Sequence, residues 1–310
     1  MLSKLVTPRY PTNALGLEKG FASVVELERT RNNGARLRRA ASVGLDESLV
    51  RPSFDETNIA DPSELASIVS DLTASAGLVK QKKWSVALPE ASTRSAILIL
   101  ETAPGSNSEL EEMLTWKMER TFGIALDELS ISREKLLPDA QGRARYLIVA
   151  ARLAVLDEYE TVFRALGWRT GMLLPRHMCE GQWLTTNGAK GDGLLLSSSE
   201  HGFTALVFRG KEPLILRTVA CEPQDCEDEF YRLLLFYRDR RATDNEAALS
   251  RLLVLGQALP KSRAAEIVNE TLGTSLKPLV APDLGLEIPS REISFDAIAA
   301  PAGLATLSWR

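Results

Sequence analysis

A chain of 310 residues with 45% hydrophobic and 25% charged side chains is long enough to bury a sizeable core and too ordinary in composition for disorder or a fibrous repeat. A formal charge of -4 gives no general attraction for nucleic acid. Three cysteines (Cys179, Cys221, Cys226) and two histidines (His177, His201) supply no CxxC pair, no disulfide framework and no zinc-ligand spacing, and no apolar run approaches the ~18 residues of a membrane span, so a soluble chain with reduced thiols and no metal is expected.

In chain order, Leu15 to Arg29 (LGLEKGFASVVELER) reads as two strands about a Lys19-Gly20 turn, because Val24, Val25 and Leu27 are flanked by residues that punctuate strands. Asn32-Asn33-Gly34 is a turn signal, and Arg36, Arg38 and Arg39 beyond it read as the solvated face of an edge strand rather than an anion-binding patch. Asp61-Pro62-Ser63-Glu64 combines a cap, a proline at the first helical position and an early acid, which starts a helix. Leu65, Ile68, Val69 and Leu72 then share its buried face. WSVALP and SAILILE follow as two strands separated by Pro89, which cannot donate into a central ladder.

Ser108 to Trp168 reads as helix, strand, helix: a Ser108…Glu111 capping box, the strand RYLIVAARL, and a helix presenting Val155, Tyr159, Val162, Phe163 and Leu166 before a stop at Gly167. TTNGAKGDG is a loop by composition, after which LLLSSSEHGFTALVFRGKEPLILR forms a β-meander with turns at His201-Gly202 and Gly210-Lys211. Next come a helix with Phe230, Leu233, Leu234 and Tyr237 on one side, a buried strand RLLVLGQALP, and a helix SRAAEIVNETLG. The tail APAGLATLSWR is expected to dock through Leu304, Leu307 and Trp309. This mixture is α/β or α+β.

Isolated candidates for chemistry have plainer readings. His177 and Cys179, two apart, read as a surface imidazole and a buried thiol rather than a catalytic dyad. Cys221 and Cys226 show no thiolate-stabilising neighbours and read as inert. The acidic run Glu222 to Glu229 lacks calcium-loop spacing and reads as charge at a helix start.

Taken in order, these pieces resemble the type IV pilus assembly protein PilM family, and more distantly FtsA and the cytoplasmic region of GspL. The resemblance is carried by LGLEKGFASVVELER with its Glu26-Leu27 pair, WSVALP, LTWKMERTFGIALDEL, the run Val149-Ala150-Ala151-Arg152 followed by a helix ending in Ala-x-Gly, LLFYRD, and the terminal AGLA. It implies an actin-like (ribonuclease-H-like) α/β fold of two lobes around a nucleotide cleft, with a small α+β subdomain inserted in the first lobe. The expected divisions are residues 1–94 with 289–310 for the first lobe, 95–169 for the insertion and 170–288 for the second lobe.

In such a cleft two hairpins give backbone N–H groups to the phosphates, carboxylates hold Mg²⁺ and a glycine pair receives the adenosine. The matching positions here are Glu18, Lys19 and Gly20 at the first hairpin, Ser197, Ser198 and Ser199 at the second, and Gly256-Gln257 at the adenosine turn. Each departs from the pattern: Glu18 is a methylene longer than Asp, Phe21 replaces a small hydroxyl residue, serines replace a carboxylate, and one glycine of the pair is gone. Together they imply a pseudo-ATPase with no catalytic residue and no required cofactor, Mg-ATP being retained only if these positions still bind it. The resemblance implies a cytoplasmic adaptor at the inner membrane, binding the cytoplasmic N-terminal peptide of a PilN-like membrane protein, with Ile97 and Ile99 of SAILILE as the candidate contact. An active actin-like ATPase or sugar-kinase relative, and a GspL-like type II secretion scaffold, are the alternatives. A GspL-like chain would continue into a membrane span, and none follows before Arg310.

Overall fold

The structure is a computed structural model that describes residues 10–31, 34–185, 190–244, 248–290 and 292–309. The expected Asn32-Asn33 turn, the centre of the TTNGAKGDG loop and Arg310 lie outside them. In chain order the strands are β1 (Asn13–Glu18), β2 (Phe21–Arg29), β3 (Ala35–Gly44), β4 (Lys83–Leu88), β5 (Arg94–Ile99), β6 (Leu129–Leu136), β7 (Arg145–Arg152), β8 (Arg169–Pro175), β9 (Asp192–Ser199), β10 (Gly202–Arg209), β11 (Glu212–Ala220), β12 (Leu249–Leu255) and β13 (Leu286–Glu287). The α-helices are α1 (Pro62–Ser75), α2 (Asn107–Phe122), α3 (Leu153–Ala165), α4 (Arg176–Gly181), α5 (Cys226–Asp244), α6 (Lys261–Leu272) and α7 (Phe295–Ala305). They fall into two compact units, one of Met1–Thr93, Arg152–Gln182 and Ala281–Arg310, the other of Arg94–Ala151 and Trp183–Val280.

The first unit is built on a mixed sheet ordered β13-β3-β2-β1-β4-β8. β1 and β2 pair antiparallel about the expected Lys19-Gly20 turn, while β4 runs parallel to β1 and β8 parallel to β4. Because strand side chains alternate, Leu15, Leu17, Val24, Trp84 and Val86 join one core with α1 and α3. Within it Trp84 and Trp168 stack with ring centroids 4.7 Å apart. The Asp61 carboxylate accepts from the amides of Ser63 and Glu64 at 2.9 and 3.0 Å, the cap expected for α1.

The arginines of β3 are spoken for, with Arg36 on Glu287 at 2.7 Å and Arg38 and Arg39 within 3.7 Å of Glu26.

The opposite face of this sheet is covered by α7, the docked tail. Helical bonding asks the N–H of residue 301 to reach the carbonyl of residue 297, and Pro301 has no N–H. The buried Ser23 hydroxyl of β2 donates to that freed Ala297 carbonyl at 2.8 Å. Gly16 of β1 admits the proline ring, since a Cβ there would lie 2.9 Å from Pro301 Cδ. Leu304 is buried as expected, whereas Leu307 and Trp309 are only half-buried, past the end of α7. Ser23→Ala removes the donor from the half-buried Ala297 carbonyl and is expected to cost about 1–2 kcal/mol. In a Pro301→Ala background the restored N–H takes over, so the cost of Ser23→Ala should shrink by about 1 kcal/mol or more in a double-mutant denaturation cycle. An equal cost in both backgrounds would contradict this account.

The second unit holds two sheets. β9, β10 and β11 form the expected meander, and β12 joins it parallel to β9, in the order β11-β10-β9-β12. Phe230, Leu233, Leu234 and Tyr237 of α5 and Ala264, Ile267 and Val268 of α6 fill its core. The smaller sheet has the order β5-β7-β6. Arg145, the first residue of β7, donates from Nη2 to the carbonyls of Pro213 and Leu214 at 2.9 Å each, which ties this sheet to β11.

The compact units divide the chain at other points than the expected lobes. The compact unit containing the inserted piece takes Arg94–Ala151, not 95–169, and groups it with Trp183–Val280. The reason is that α3 buries Val155, Tyr159, Val162 and Phe163 in the first unit's core and β8 extends that unit's sheet. The cap of α2 sits two residues early: Ser106 accepts from the Glu109 amide at 3.1 Å, while Glu111 pairs with Arg133. Between α2 and β7 lies β6, a strand absent from the helix, strand, helix order expected there.

Candidate functional site

The residues singled out in the sequence form two sets. Glu18, Lys19 and Gly20 close the β1–β2 hairpin in the first unit; Ser197, Ser198 and Ser199 end β9 in the second, beside Gly256 and Gln257 at the end of β12.

The hairpin of the first unit opens onto a recess of about 10 Å³, room for roughly one water. Glu18, Phe21, Ser23, Arg176, Glu180 and Asp296 are among its walls. Arg176 and Glu180 come from α4, a short helix that β8 delivers beside β4. Their i, i+4 spacing aligns them, and Arg176 Nε donates to Glu180 Oε1 at 2.7 Å. Glu18 Oε1 stands 3.6 Å from the same nitrogen. Glu180 is fully buried, and its Oε2 has no hydrogen-bond partner among the described residues. One fully buried carboxylate and one largely buried one thus share one guanidinium, a balance that favours keeping one proton. Burial, opposed by Arg176 and reinforced by Glu180 and Glu90, pushes Glu18 up to about 8. Glu180 and then Glu18 hold Arg176 protonated against its own burial.

His177 does not serve Cys179. Its Nδ1 lies 2.7 Å from Glu90 Oε1, and its backbone N–H donates to Glu90 Oε2 at 3.2 Å. The imidazole is buried, contrary to the expected surface position. The Cys179 thiol points to the Leu174 carbonyl, and burial pushes it well above the usual thiol range.

At the second hairpin Ser197 and Ser198 are buried and Ser199 is half-buried. Ser198 Oγ donates to the Leu255 carbonyl at 3.1 Å and accepts from the Ala258 amide at 3.2 Å, so this hydroxyl stitches β9 to the turn after β12. Gly256 lets the two meet: its φ is +87°, and a Cβ there would lie 2.2 Å from the Ser198 carbonyl oxygen. Gln257 is exposed. Ile97 and Ile99 lie on β5, one of the two outer strands of the small sheet, and both are half-buried while Leu98 between them is buried.

Arg176, Glu180 and Glu90 were not among the sequence candidates. The Arg-x-x-x-Glu spacing of residues 176–180 was their only local signal.

No protein-family model matches the chain, and no curated protein matches it. Among solved structures, a chain of the PilM-PilN type IV pilus biogenesis complex is 17% identical, aligns over 98% of this chain and 100% of that chain, and has a TM-score of 0.72. A Bacteroides thetaiotaomicron protein of unknown function with an actin-like ATPase fold is 10% identical over 99% of each chain, with a TM-score of 0.50. The cytoplasmic domain of EpsL, an inner-membrane component of the type II secretion system of Vibrio cholerae, is 14% identical over 86% of this chain and 96% of that one, at 0.44, too loose a likeness to carry weight. At these identities the likeness is one of fold, and it runs the length of the chain: this protein has the actin-like ATPase fold.

Proposed function

We propose that this chain is a PilM-like adaptor of a type IV pilus or related secretion platform. In this reading it is a pseudo-ATPase that binds the cytoplasmic N-terminal peptide of a PilN-like membrane protein and is held by it at the inner membrane, on the cytoplasmic side. The observation that carries the reading is the full-length match, at a TM-score of 0.72, to a chain from a complex of PilM with PilN. Among the described residues no helix is long and apolar enough to cross a membrane, which leaves attachment to a partner as the natural route in this reading.

Two local features support its finer parts. An outer strand with two half-buried isoleucines on one face suits an extended, partly apolar peptide, which would pair with the strand and lay side chains on Ile97 and Ile99. The nucleotide positions fit Mg-ATP poorly. The Ser198 hydroxyl is committed to the β12 turn, and the first hairpin's recess is lined by Glu18, Glu180 and Asp296 against one guanidinium already bound to Glu180. A lining in which carboxyl groups outnumber the one guanidinium is a poor cradle for phosphate.

The test is calorimetric titration of the full chain with the cytoplasmic N-terminal peptide of the bitopic membrane protein encoded beside it. Micromolar binding is expected, weakened about tenfold or more by Ile97→Asp, equivalent to about 1.4 kcal/mol, with the melting temperature unchanged. Mg-ATP at about 1 mM should leave that temperature nearly unmoved, because a ligand far below its Kd adds no stability. Absence of peptide binding removes the adaptor reading, and a strong shift with Mg-ATP replaces the pseudo-ATPase with a working nucleotide site.

A further inference from the structure

Cys221 and Cys226, read from the sequence as two inert thiols, are in contact: their sulfur atoms lie 3.2 Å apart. Cys221 follows the last residue of β11 and Cys226 is the first residue of α5, so a short turn, Glu222 to Asp225, returns the chain on itself. Those four intervening residues are exposed, Cys221 is half-buried and Cys226 is buried. An attacking reagent therefore has access to Cys221 from solvent, and Cys226 stands behind it. The Cys221 amide also donates to the His201 carbonyl at 3.2 Å, which places the pair against the tip of the β9–β10 hairpin that carries Ser197 to Ser199.

We propose that Cys221 and Cys226 form a reversible dithiol–disulfide pair, oxidised by exchange with a small-molecule or protein disulfide, which staples the end of β11 to the start of α5 beneath this hairpin. The Cys221 thiolate attacks one sulfur of the incoming disulfide, a mixed disulfide forms, and the first thiolate leaves. The Cys226 sulfur then attacks the Cys221 sulfur, the internal disulfide forms, and the second thiolate leaves. Two electrons pass from the pair to the incoming disulfide, and the two thiol protons end on the two departing thiols. Closing 3.2 Å to the S–S bond length of about 2.0 Å needs an approach of roughly an ångström, within reach of side-chain rotation and a small shift of the turn.

The surroundings set the order and the preferred reagent. Cys226 is buried behind the more accessible Cys221, which makes it the resolving partner and not the first nucleophile; burial, helped by Cys221 and Asp225, also pushes its thiol above the usual range. Exposed Glu222 and Asp225 disfavour anionic reagents, so a neutral disulfide should react faster than a negatively charged one. Cys179 is fully buried elsewhere and serves as an internal control. This inference does not depend on the adaptor reading.

The experiment uses the full chain and 2-hydroxyethyl disulfide, a neutral probe, followed by acid quench, maleimide labelling and non-reducing peptide mapping. The expected result is one Cys221–Cys226 cross-link per chain and a fall in free thiols from the three present to Cys179 alone. Cys226→Ser should instead accumulate the mixed disulfide on Cys221, and Cys221→Ser should leave Cys226 unmodified over the same time. Amide exchange at residues 198–203 should slow severalfold in the oxidised protein. The proposal is overturned if the wild type accumulates the mixed disulfide without cross-linking, if all three thiols survive when Cys226→Ser has reacted, or if the exchange equilibrium is no more favourable folded than in concentrated urea. Unchanged amide exchange at the hairpin would remove the stapling claim.

Discussion

Replacing Asp192 with alanine is expected to destabilise the second unit by about 3–5 kcal/mol, the usual result of removing one partner from a buried charged network. Asp192 opens β9 and is 0% exposed. Its register partner Arg209 on β10 grips it with two bonds of 2.9 Å, from Nε and Nη2, and Tyr237 of α5 donates its hydroxyl at 2.8 Å. One carboxylate therefore ties the first strand of the meander to its neighbour and to the helix that covers them. Arg209, with a side chain 31% exposed, can take water in its place; the buried Tyr237 hydroxyl has far less access to it. Half-buried Arg251 on β12 is pushed down from its usual range by burial, against which the charge of Asp192 acts, and its Nη1 donates to the Leu184 carbonyl at 2.8 Å. Tyr237→Phe leaves the Arg209 bonds in place and should cost about 1–2 kcal/mol. Urea unfolding, with amide exchange read in β9 and β12, separates the cases. A wild-type midpoint for Asp192→Ala would refute the network's importance.

Features with a local signature were legible in the sequence. The Lys19-Gly20 turn, the Asp61 cap, the apolar face and glycine stop of α3, the meander and the buried face of α5 all depend on residues within a turn or two of one another. β6 was missed because the charged run Arg133-Glu134-Lys135 cuts off the Leu-Ser-Ile-Ser alternation of LSISREKL after four residues, too short a pattern to stand out. β8 was missed because RTGMLLP mixes a glycine with a run too short to classify; its identity as a strand comes from pairing with β4. The sites built from distant residues were not legible at all. Ser23 meets Ala297 across 274 positions, and nothing local to β2 marks its serine as the donor for a carbonyl freed by Pro301. Glu18 was visible as a hairpin carboxylate, while the guanidinium that shares it with Glu180 arrives on a helix positioned by β8. The contact between Cys221 and Cys226 needed the start of α5 fixed at residue 226, and an acidic run at a helix start does not set that boundary to within one residue.

The Glu18 carboxyl should make the first unit lose stability as pH rises, and Glu18→Gln should abolish that loss. In the folded chain this group is raised from 4.5 to about 8 by burial, against the pull of Arg176 and with Glu180 and Glu90 adding to the rise. A raised carboxyl favours folding below its unfolded value, near pH 4.5, where both states hold the proton. Between there and about pH 8 the unfolded chain releases the proton while the folded chain keeps it, so the favourable contribution drains away through that window. Each tenfold change in proton affinity is worth about 1.4 kcal/mol. Full realisation would therefore approach roughly 4–5 kcal/mol, and with a side chain 14% exposed about 2–3 kcal/mol is the expected size. Glutamine keeps the shape of the neutral acid, carries no proton to lose, and leaves the 2.7 Å bond between Arg176 and Glu180 intact. The other groups around Glu18, namely Glu180, Glu90, His177, Arg176 and Asp296, are common to both proteins, so they cancel to first order in the difference. Denaturant unfolding of both proteins from pH 5 to 9 should give near-equal stabilities at the acid end and an advantage for Glu18→Gln that grows with pH and levels off above about 8. If the difference is flat, or if the wild type gains on the variant as pH rises, Glu18 is ionised and paired with Arg176 throughout, and the shared-proton account of this site is wrong.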